Sequence, residues 1–298
     1  MSDLRVGLAG LGRMGTPMAR RLADAGLLTG VYNRTQLKTD EVAPELGVIG
    51  FASPAELAAS CNVVVTMVAD ERAVRELYTS FVSSLTPGTV AIEMSTIGPG
   101  PLPALRDLIE SHDGRLVDAP VSGSVALAAS GELTLMVGGE AVDVERVRPV
   151  LEVLGSKIFH LGVLGAGATL KLAVNTIVYA LNEAVAEALV LAERAGIERH
   201  DAYEVFAVSA IAAPFVHYRR AEFEQPGCVP VAFRLELARK DLQLALELAS
   251  SLGHPMPQAE LDLAVIGSAA DAGFGDHDIA AVAEYFRTTT PMEGVLTT

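Results

Sequence analysis

Val6-Gly7-Leu8-Ala9-Gly10-Leu11-Gly12-Arg13-Met14-Gly15 is the part of the chain that indicates the fold most strongly. A short apolar strand is followed at once by the spacing G-x-G-x-x-G, and residues 16–26 continue as a helical pattern. Gly10 permits a tight turn, Gly12 permits close approach of a pyrophosphate, and Gly15 permits close packing of helix on strand. A glycine-rich turn without a ligand is the alternative, but the strand before it and the helix after it favour a dinucleotide site. The predicted cofactor residues of this loop are Gly10, Leu11, Gly12, Arg13, Met14 and Gly15.

The second predicted strand, which ends at Tyr32, is followed by Asn33-Arg34-Thr35. A cofactor without a ribose phosphate is normally met here by an Asp or Glu, which accepts a hydrogen bond from the 2′-hydroxyl. This chain has no carboxylate at that point. Arg34 offers a guanidinium fork to phosphate oxygens, and Thr35 adds a neutral hydroxyl. We therefore predict NADP(H) rather than NAD(H), with Asn33, Arg34 and Thr35 as cofactor residues; the alternative is that Arg34 is an ordinary solvated cation.

The composition limits the class of protein. The 298 residues, half of them apolar, are enough for two domains. A formal charge of −15 disfavours nucleic acid and anionic membrane surfaces as partners. No stretch contains the roughly 20 uninterrupted apolar residues of a membrane-spanning helix, and no cleavable signal precedes the first strand. Cys61, Cys228 and the six histidines lack metal-ligand spacing, so we expect no metal. We expect both cysteines to be buried thiols in a reducing compartment, and the location to be cytoplasmic.

Short apolar runs alternate with helical patterns from residue 1 to about residue 160. This alternation is typical of βαβ units and a mostly parallel sheet. A continuously apolar run such as residues 63–68 indicates a strand covered by helices on both faces. The predicted fold is therefore α/β, with an N-terminal Rossmann-type, doubly wound parallel sheet. The predicted strands are residues 6–9, 30–32, 63–68, 89–94, 116–119, 133–137 and 157–160.

The pattern becomes entirely helical after Leu161. Residues 168–195 contain no Pro or Gly and predict one helix of roughly 40 Å at 1.5 Å per residue. We predict an NADP-binding domain at residues 1–162 and an all-α domain for substrate binding and dimerisation at residues 163–298. Further helices of this second domain are predicted near residues 200–210, 232–252, 258–272 and 278–287.

The motif Asp118-Ala119-Pro120-Val121-Ser122-Gly123 follows a predicted strand, near the edge where a doubly wound fold places its ligand crevice. Ser122 offers a hydroxyl and Gly123 an unobstructed backbone N–H, a combination suited to a carboxylate. A capped turn without a ligand competes with this interpretation when the motif is taken alone.

Lys171 and Asn175 lie four residues apart at the start of the long helix and therefore share one face. A lysine in the first turn is disfavoured by the positive end of the helix dipole. The same field and partial burial are expected to lower the pKa of Lys171 from about 10.4, which eases proton transfer near neutral pH. The commoner alternative is a surface lysine that extends its charged group into solvent, but the apolar neighbours of Lys171 argue against that alternative. Lys240 and Asp241, taken alone, predict a solvated polar face.

Several motifs in order resemble the β-hydroxyacid dehydrogenase family, which includes 3-hydroxyisobutyrate dehydrogenases, tartronate semialdehyde reductases and glyoxylate/succinic semialdehyde reductases. They span nearly the whole chain: GLGRMG, Met94-Ser95-Thr96, DAPVSG, LTLMVGG, GAGATLK with Asn175, KDLQLA and GFGDHD. The resemblance implies an NADP(H)-dependent oxidoreductase of the EC 1.1.1 type. It would interconvert a small β-hydroxyacid, or a 2- or 4-hydroxyacid, and its semialdehyde or keto form by hydride transfer.

The resemblance also implies roles for individual residues. Lys171 would be the general acid/base, Asn175 would hold the substrate beside it, and Ser122 would complete the catalytic set. The substrate carboxylate would be bound by Ser122 and Gly123, with Ser124 beside them. The cofactor would also be contacted by Met67, Val68, Ala69 and Thr96, and Lys240 would close over it. The family further implies a homodimer or homotetramer.

The chain departs from the family pattern near the expected pocket. Ser124 and Leu127 stand where the family often has glycines, and Val174 replaces the first asparagine of an Asn pair. Residues 209–215 are apolar where relatives place polar residues facing the substrate. The pocket is therefore expected to be bulkier and less polar, which keeps an NADPH-dependent imine reductase as an alternative. A noncatalytic NADPH-binding module is a further alternative; Lys171 argues against both.

Overall fold

The computed structural model describes residues 4–289. The chain divides into two compact units between Leu172 and Ala173. This division falls within a helix, whereas the predicted domain boundary at residue 162 falls in the loop before that helix.

A six-stranded parallel sheet forms the centre of the first unit. Its order, β3-β2-β1-β4-β5-β6, is that of a Rossmann fold and confirms the predicted doubly wound sheet. Both residues of the short strand β3 are exposed, and this strand was not predicted. The strands are β1 Val6–Ala9, β2 Leu28–Tyr32, β3 Ile49–Gly50, β4 Val63–Thr66, β5 Val90–Glu93 and β6 Arg115–Asp118.

Alternate residues of the central strands face two different hydrophobic clusters. In β4, Val63 and Val65 belong to one cluster, whereas Val64 belongs to the other. All three side chains are fully buried, which explains the unbroken apolar run in the sequence. The helices of this unit are α1 Gly15–Asp24, α2 Gln36–Leu46, α3 Pro54–Ser60, α4 Glu71–Phe81, α5 Leu102–Glu110, α6 Val125–Ser130 and α7 Ala141–Leu154.

A separate three-stranded sheet corrects one part of the prediction. Strands β7 (Val121–Ser122), β8 (Leu133–Val137) and β9 (Gly155–His160) pair with one another in the order β7-β8-β9, and β7 runs antiparallel to β8. The strands predicted at residues 133–137 and 157–160 therefore do not extend the main sheet. The two sheets are joined by backbone hydrogen bonds between Asp118 and Gly138.

The second unit is all helical, as predicted. Its core includes Tyr203, Phe223, Leu242 and Ile266, each of which is fully or nearly fully buried. The long helix, predicted at residues 168–195, begins two residues earlier and ends one residue earlier. The helices are α8 Ala166–Arg194, which begins in the first unit, α9 Arg199–Val208, α10 Pro214–Tyr218, α11 Arg220–Glu224, α12 Leu235–Ser251, α13 Pro257–Ala269 and α14 Val282–Thr289.

The segment containing GFGDHD holds the beginning of α12. The carbonyl oxygen of His277 accepts a hydrogen bond from Leu235 N at 2.9 Å, and that of Gly275 accepts one from Glu236 N at 3.0 Å. The carboxylate of Asp278 accepts hydrogen bonds from the backbone N–H groups just before α12, at Ala232 and Phe233. The motif is therefore a support for α12.

Helix α8 is the one helix among residues 4–289 that is long and apolar enough to cross a membrane by length and composition. That criterion is weak evidence, because a core helix of a soluble protein also meets it. The expectation from sequence rested on uninterrupted apolar runs, which Lys171 and Asn175 break. Asn182 and Glu183 on α8 are buried in the protein, and α8 contributes Tyr179 and Leu189 to the core.

Candidate functional site

The glycine loop between β1 and α1 has the shape of a dinucleotide cradle. Gly10 has a φ of +110°, and a Cβ placed on it would lie 2.1 Å from the carbonyl oxygen of Met67. A Cβ on Gly15 would lie 1.8 Å from the carbonyl oxygen of Gly10. The protein's own backbone therefore requires glycine at both positions.

Gly12 differs from these two glycines. It is exposed, and a Cβ placed on it would meet no atom within 4 Å. Within the described part of the chain no side chain caps α1, and its first turn has no acidic residue. Open space beside Gly12 and uncapped N–H groups at a helix start fit a pyrophosphate. The loop follows β1, which neighbours β4 in the sheet at the point where the strand order reverses.

Asn33 connects the glycine loop to the end of β2. Its Oδ1 accepts a hydrogen bond from Leu11 N at 3.0 Å, and its Nδ2 donates to the carbonyl oxygen of Thr35 at 3.3 Å. Its backbone N–H donates to the hydroxyl of buried Thr39 at 3.0 Å. The side chain of Asn33 therefore supports both loops that the sequence assigned to the cofactor.

Arg13 and Arg34 are exposed, and neither forms an ion pair with any residue between 4 and 289. Thr35 is also exposed and directly precedes α2, but its hydroxyl does not cap that helix. The first turn of α2 contains no acidic residue. Two guanidinium groups and one hydroxyl on the loops that the sequence assigned to the cofactor are therefore placed where they could receive an anion.

A buried carboxylate organises the loops after β4 and β5. Glu93 accepts hydrogen bonds from Ser95 N at 2.7 Å and from the Thr66 hydroxyl at 2.6 Å. Ser95 in turn accepts a hydrogen bond from Val68 N at 2.9 Å. Burial raises the pKa of Glu93. These bonds connect residues 67–69 to the loop that carries Thr96. The sequence reasoning missed Glu93 and Ser95; the available signal was an acidic residue at the end of an apolar strand.

Ser122 and Gly123 lie at the end of β7. Ser122 is half-buried, and Gly123 has a φ of +145°, a conformation that favours glycine. Ser124 caps α6, since its hydroxyl oxygen accepts a hydrogen bond from Leu127 N at 3.3 Å. Ser124, predicted to contact substrate, therefore also has a local structural role that the sequence reasoning missed.

Lys171 is half-buried and lies in the second turn of α8, one turn later than expected. The carboxylate of Asp118 accepts hydrogen bonds from the backbone N–H groups of Gly165 and Ala168. A carboxylate at a helix start offsets the positive end of the dipole, and the dipole's effect falls off within the first turn. The dipole argument for Lys171 is therefore weaker than expected, and its lowered pKa stays a prediction.

Asn175, the next site residue on α8, belongs to a buried network in the second unit. Asp241 Oδ2 accepts hydrogen bonds from Asn175 Nδ2 at 2.7 Å and from the Tyr179 hydroxyl at 2.6 Å. Asp241 Oδ1 lies 2.9 Å from Nζ of Lys240. Only 2% of Asp241 is exposed, so the predicted solvated polar face is wrong for this residue. Burial and the Asp241 charge raise the pKa of Tyr179.

The network fixes the orientation of the Asn175 amide. A carboxylate can only accept hydrogen bonds, so the NH₂ group of Asn175 must face Asp241. The second N–H donates to the Tyr179 hydroxyl at 3.1 Å. Both donors are therefore used, and Oδ1 accepts no hydrogen bond from residues 4–289. Asn175 offers an acceptor rather than a donor to a ligand. Sequence spacing indicated the Lys171–Asn175 pair, but not the acid that orients it.

The described residues contain no group of three or more His, Cys, Asp or Glu side chains that could hold a metal ion. Cys61 is a buried free thiol, and burial raises its pKa to about 11. Cys228 is also unpaired, but it is exposed, so the prediction of a buried thiol is wrong at this position.

Comparisons with known proteins agree with this geometry. Residues 5–162 match the family model for the NAD-binding domain of 6-phosphogluconate dehydrogenase. Residues 165–286 match the model described as the NAD-binding domain of NADP-dependent 3-hydroxyisobutyrate dehydrogenase. Glyoxylate/succinic semialdehyde reductase 1 of Arabidopsis thaliana is 32% identical over 94% of this chain and 98% of its own.

Solved structures give the same result. The 3-hydroxyisobutyrate dehydrogenase from Salmonella typhimurium is 29% identical, with a TM-score of 0.88 over 95% of this chain and 100% of its own. An imine reductase from Pseudomonas sp. is 20% identical, with a TM-score of 0.66 over 96% of this chain and 100% of its own, and shares the fold alone.

Proposed function

This chain belongs to the β-hydroxyacid dehydrogenase family, and from that premise we propose an NADP(H)-dependent enzyme acting on a small carboxylate-bearing hydroxyacid and its semialdehyde or keto form. The family makes the chain an NAD(P)-binding oxidoreductase that acts on hydroxyl groups. The observation that carries the proposal is the placement of Lys171 and Asn175 one turn apart on α8, with the Asn175 amide oriented by Asp241.

The proposed division of labour follows from the donors and acceptors present. Bound NADPH would supply a hydride to the carbonyl carbon, and NADP⁺ would accept it in the reverse direction. Lys171 Nζ would give a proton to the carbonyl oxygen and take one back from the hydroxyl during oxidation. Asn175 Oδ1 would accept a hydrogen bond from the substrate hydroxyl. Ser122 and the Gly123 N–H would donate to the carboxylate and so orient the substrate.

The test is the loss of reduced-nicotinamide absorbance, measured separately with NADPH and NADH. The carbonyl panel contains succinic semialdehyde, methylmalonate semialdehyde and glyoxylate, with a cyclic imine as the contrasting substrate. We expect turnover of at least one of the three carbonyl compounds with NADPH. Turnover of the imine alone would contradict the proposal.

Imine reduction is the second candidate because residues 210–215 and Val174 are apolar. The hydrocarbon part of a cyclic imine needs no carboxylate partner and would gain from an apolar pocket. Lys171 favours the carbonyl reaction, since a ketone or aldehyde oxygen must receive a proton as it is reduced. The same argument counts against a noncatalytic NADPH-binding role.

The preference for NADP(H) is supported by Arg34 and Thr35. Replacement of Arg34 by Ala is expected to lower kcat/KM for NADPH about 10- to 100-fold, because a charge-assisted bond to phosphate contributes about 1.5–3 kcal/mol. Activity with NADH should change little. Steady-state kinetics with both cofactors measures this, and Arg106→Ala serves as the control because Arg106 is exposed and pairs with Asp107 at 2.9 Å. An unchanged ratio of NADPH to NADH efficiency would sink the cofactor proposal.

We also propose that the protein is at least a homodimer. Helix α8 has an exposed apolar stripe in which residues recur every seven positions, which places them on one side of the helix. The stripe is Leu170, Ile177, Ala184 and Leu191, and Ile177 and Leu191 are 72% and 71% exposed. A second copy of the same helix would cover this stripe. The acidic net charge argues against an anionic lipid surface as the cover.

Replacement of Ile177 by Glu is expected to shift the protein toward monomer, because a charge would be buried against the partner's apolar stripe. Light scattering coupled to size-exclusion chromatography measures the mass. Val142→Glu is the control, since Val142 is 75% exposed on α7 and lies outside the stripe. A wild-type monomer, or binding of the wild type to lipid vesicles through this helix, would overturn the dimer proposal.

We also propose a cytoplasmic location, because the two cysteines are free thiols.

A further inference from the structure

Asp118 is the last residue of β6, and its carboxylate holds the beginning of α8. Oδ1 accepts a hydrogen bond from Gly165 N at 2.7 Å, and Oδ2 accepts one from Ala168 N at 2.7 Å. The two N–H groups lie in a segment about fifty residues further along the chain, and only 1% of Asp118 is exposed. One side chain of the central sheet therefore caps the helix that carries the proposed acid.

The surrounding backbone is shaped to this carboxylate. A Cβ on Gly138 would lie 2.4 Å from Asp118 Oδ1. A Cβ on Gly167 would lie 2.8 Å from Asp118 Oδ2 and 2.1 Å from the carbonyl oxygen of Met136. The backbone of Asp118 also exchanges two hydrogen bonds with Gly138, at 2.8 and 3.0 Å. Three sequence motifs, DAPVSG, LTLMVGG and GAGATLK, therefore meet at one buried carboxylate.

Lys171 lies three residues, about one turn, after Ala168 on the same helix. The two oxygens of one carboxylate accept hydrogen bonds from N–H groups that are three residues apart. These bonds restrict the position of the first turn of α8 along the helix axis and its rotation about that axis. We propose that Asp118 is a positioning residue, which sets where the Nζ of Lys171 stands relative to a bound substrate. The inference rests on the proposed function, in which Lys171 transfers the proton. A displacement of about 1 Å at such a group is enough to cost about 100-fold in rate.

The ionised carboxylate is the form that can make both bonds. Burial raises the pKa of Asp118 to about 6, and the backbone N–H bonds act in the opposite direction. An amide in its place would put an NH₂ group opposite one of the two N–H donors. Asp118→Asn therefore keeps the volume and loses one of the two acceptors, so it loosens the helix start without creating a cavity.

The test combines Asp118→Asn with Lys171→Ala in a double-mutant cycle on the full chain. In the otherwise wild-type protein, Asp118→Asn is expected to lower kcat about 10- to 100-fold while the NADPH dissociation constant, followed by cofactor fluorescence, stays within about twofold. In the Lys171→Ala background the same change should lower the residual rate by no more than about twofold. The control is Asp143→Asn, which removes another buried acid of the same unit, on α7, and should leave kcat unchanged.

Asp118→Ser is the second variant if Asp118→Asn fails to fold. A serine hydroxyl is smaller than the carboxylate and can accept a hydrogen bond from one of the two N–H groups, so it loses one acceptor without placing an NH₂ group opposite a donor. It should also lower kcat and leave cofactor binding unchanged. Equal losses of rate from Asp118→Asn with and without Lys171 would overturn the positioning role alone. If Lys171→Ala by itself has no effect, the proposed function fails, and the positioning role fails with it.

Discussion

Lys171→Ala is expected to lower kcat by about 10²- to 10⁴-fold for every carbonyl substrate that the wild type accepts. If Lys171 is the acid, its removal leaves no positioned proton donor at the oxygen that gains charge as the hydride arrives. NADPH binding should be unaffected, because the glycine loop and Arg34 lie elsewhere in the first unit. Stopped-flow absorbance measures the rate, and cofactor fluorescence measures binding.

A second substitution at the same position separates proton transfer from charge. Lys171→Arg keeps the positive charge, but a guanidinium does not give up its proton near neutral pH. It should therefore be as slow as Lys171→Ala if Lys171 is the acid. Recovery of most of the rate in the arginine variant would show that only the charge matters. Lys157→Ala, an exposed lysine on β9, is the matched control and should behave as wild type.

Gly10→Ala and Gly12→Ala form a matched pair with opposite expected outcomes. Gly10→Ala forces a side chain into a positive φ and against the carbonyl oxygen of Met67, so it should destabilise the cofactor-free protein by about 1–3 kcal/mol or more. Gly12→Ala meets no protein atom and should leave the unfolding temperature unchanged. It should nevertheless weaken NADPH binding at least about tenfold, because the new methyl group occupies the space beside the pyrophosphate.

The measurements are thermal unfolding without cofactor and fluorescence titration with NADPH and NADH. Gly12→Ala should weaken both cofactors equally, whereas Arg34→Ala should weaken NADPH alone. Unchanged NADPH affinity in Gly12→Ala would show that the pyrophosphate does not lie over this loop. An unchanged unfolding temperature in Gly10→Ala would contradict the close approach between the loop and Met67.

The fold class could be predicted because each central strand carries its own evidence. The fully buried run in β4 indicates a strand with helices on both faces, and the glycine loop after β1 indicates a doubly wound fold. Both patterns can be recognised without knowledge of distant contacts. Sheet membership is a different matter. Strands β8 and β9 have ordinary apolar patterns, and only tertiary pairing separates them from the main sheet. Strands β3 and β7, with two residues each, are too short to leave a pattern.

The positions of the candidate residues could be predicted where a reactive or polar group follows the end of a strand or where two such groups share one helix face. The glycine loop, Ser122 with Gly123, and Lys171 with Asn175 are all of this kind. The acids that support them were missed or misjudged. Glu93, Asp118 and Asp241 each bind backbone or amide N–H groups or a hydroxyl in the interior, which composition and spacing do not reveal. Two of the three close an apolar strand, so that pattern is a usable signal for a buried carboxylate.

The support of α12 by the GFGDHD segment has a consequence for biosynthesis. The first N–H groups of a helix need outside partners, and here they are supplied by residues about forty positions further along the chain. While residues 275–278 are still inside the ribosome, the start of α12 lacks those partners, and we expect it to fray. Asp241 lies in the second turn of that helix, so its contact with Asn175 should be weakened until then. We therefore expect the Asn175 amide to become oriented only after residues 275–278 have left the ribosome, when the nucleotide-binding half has already been free to fold.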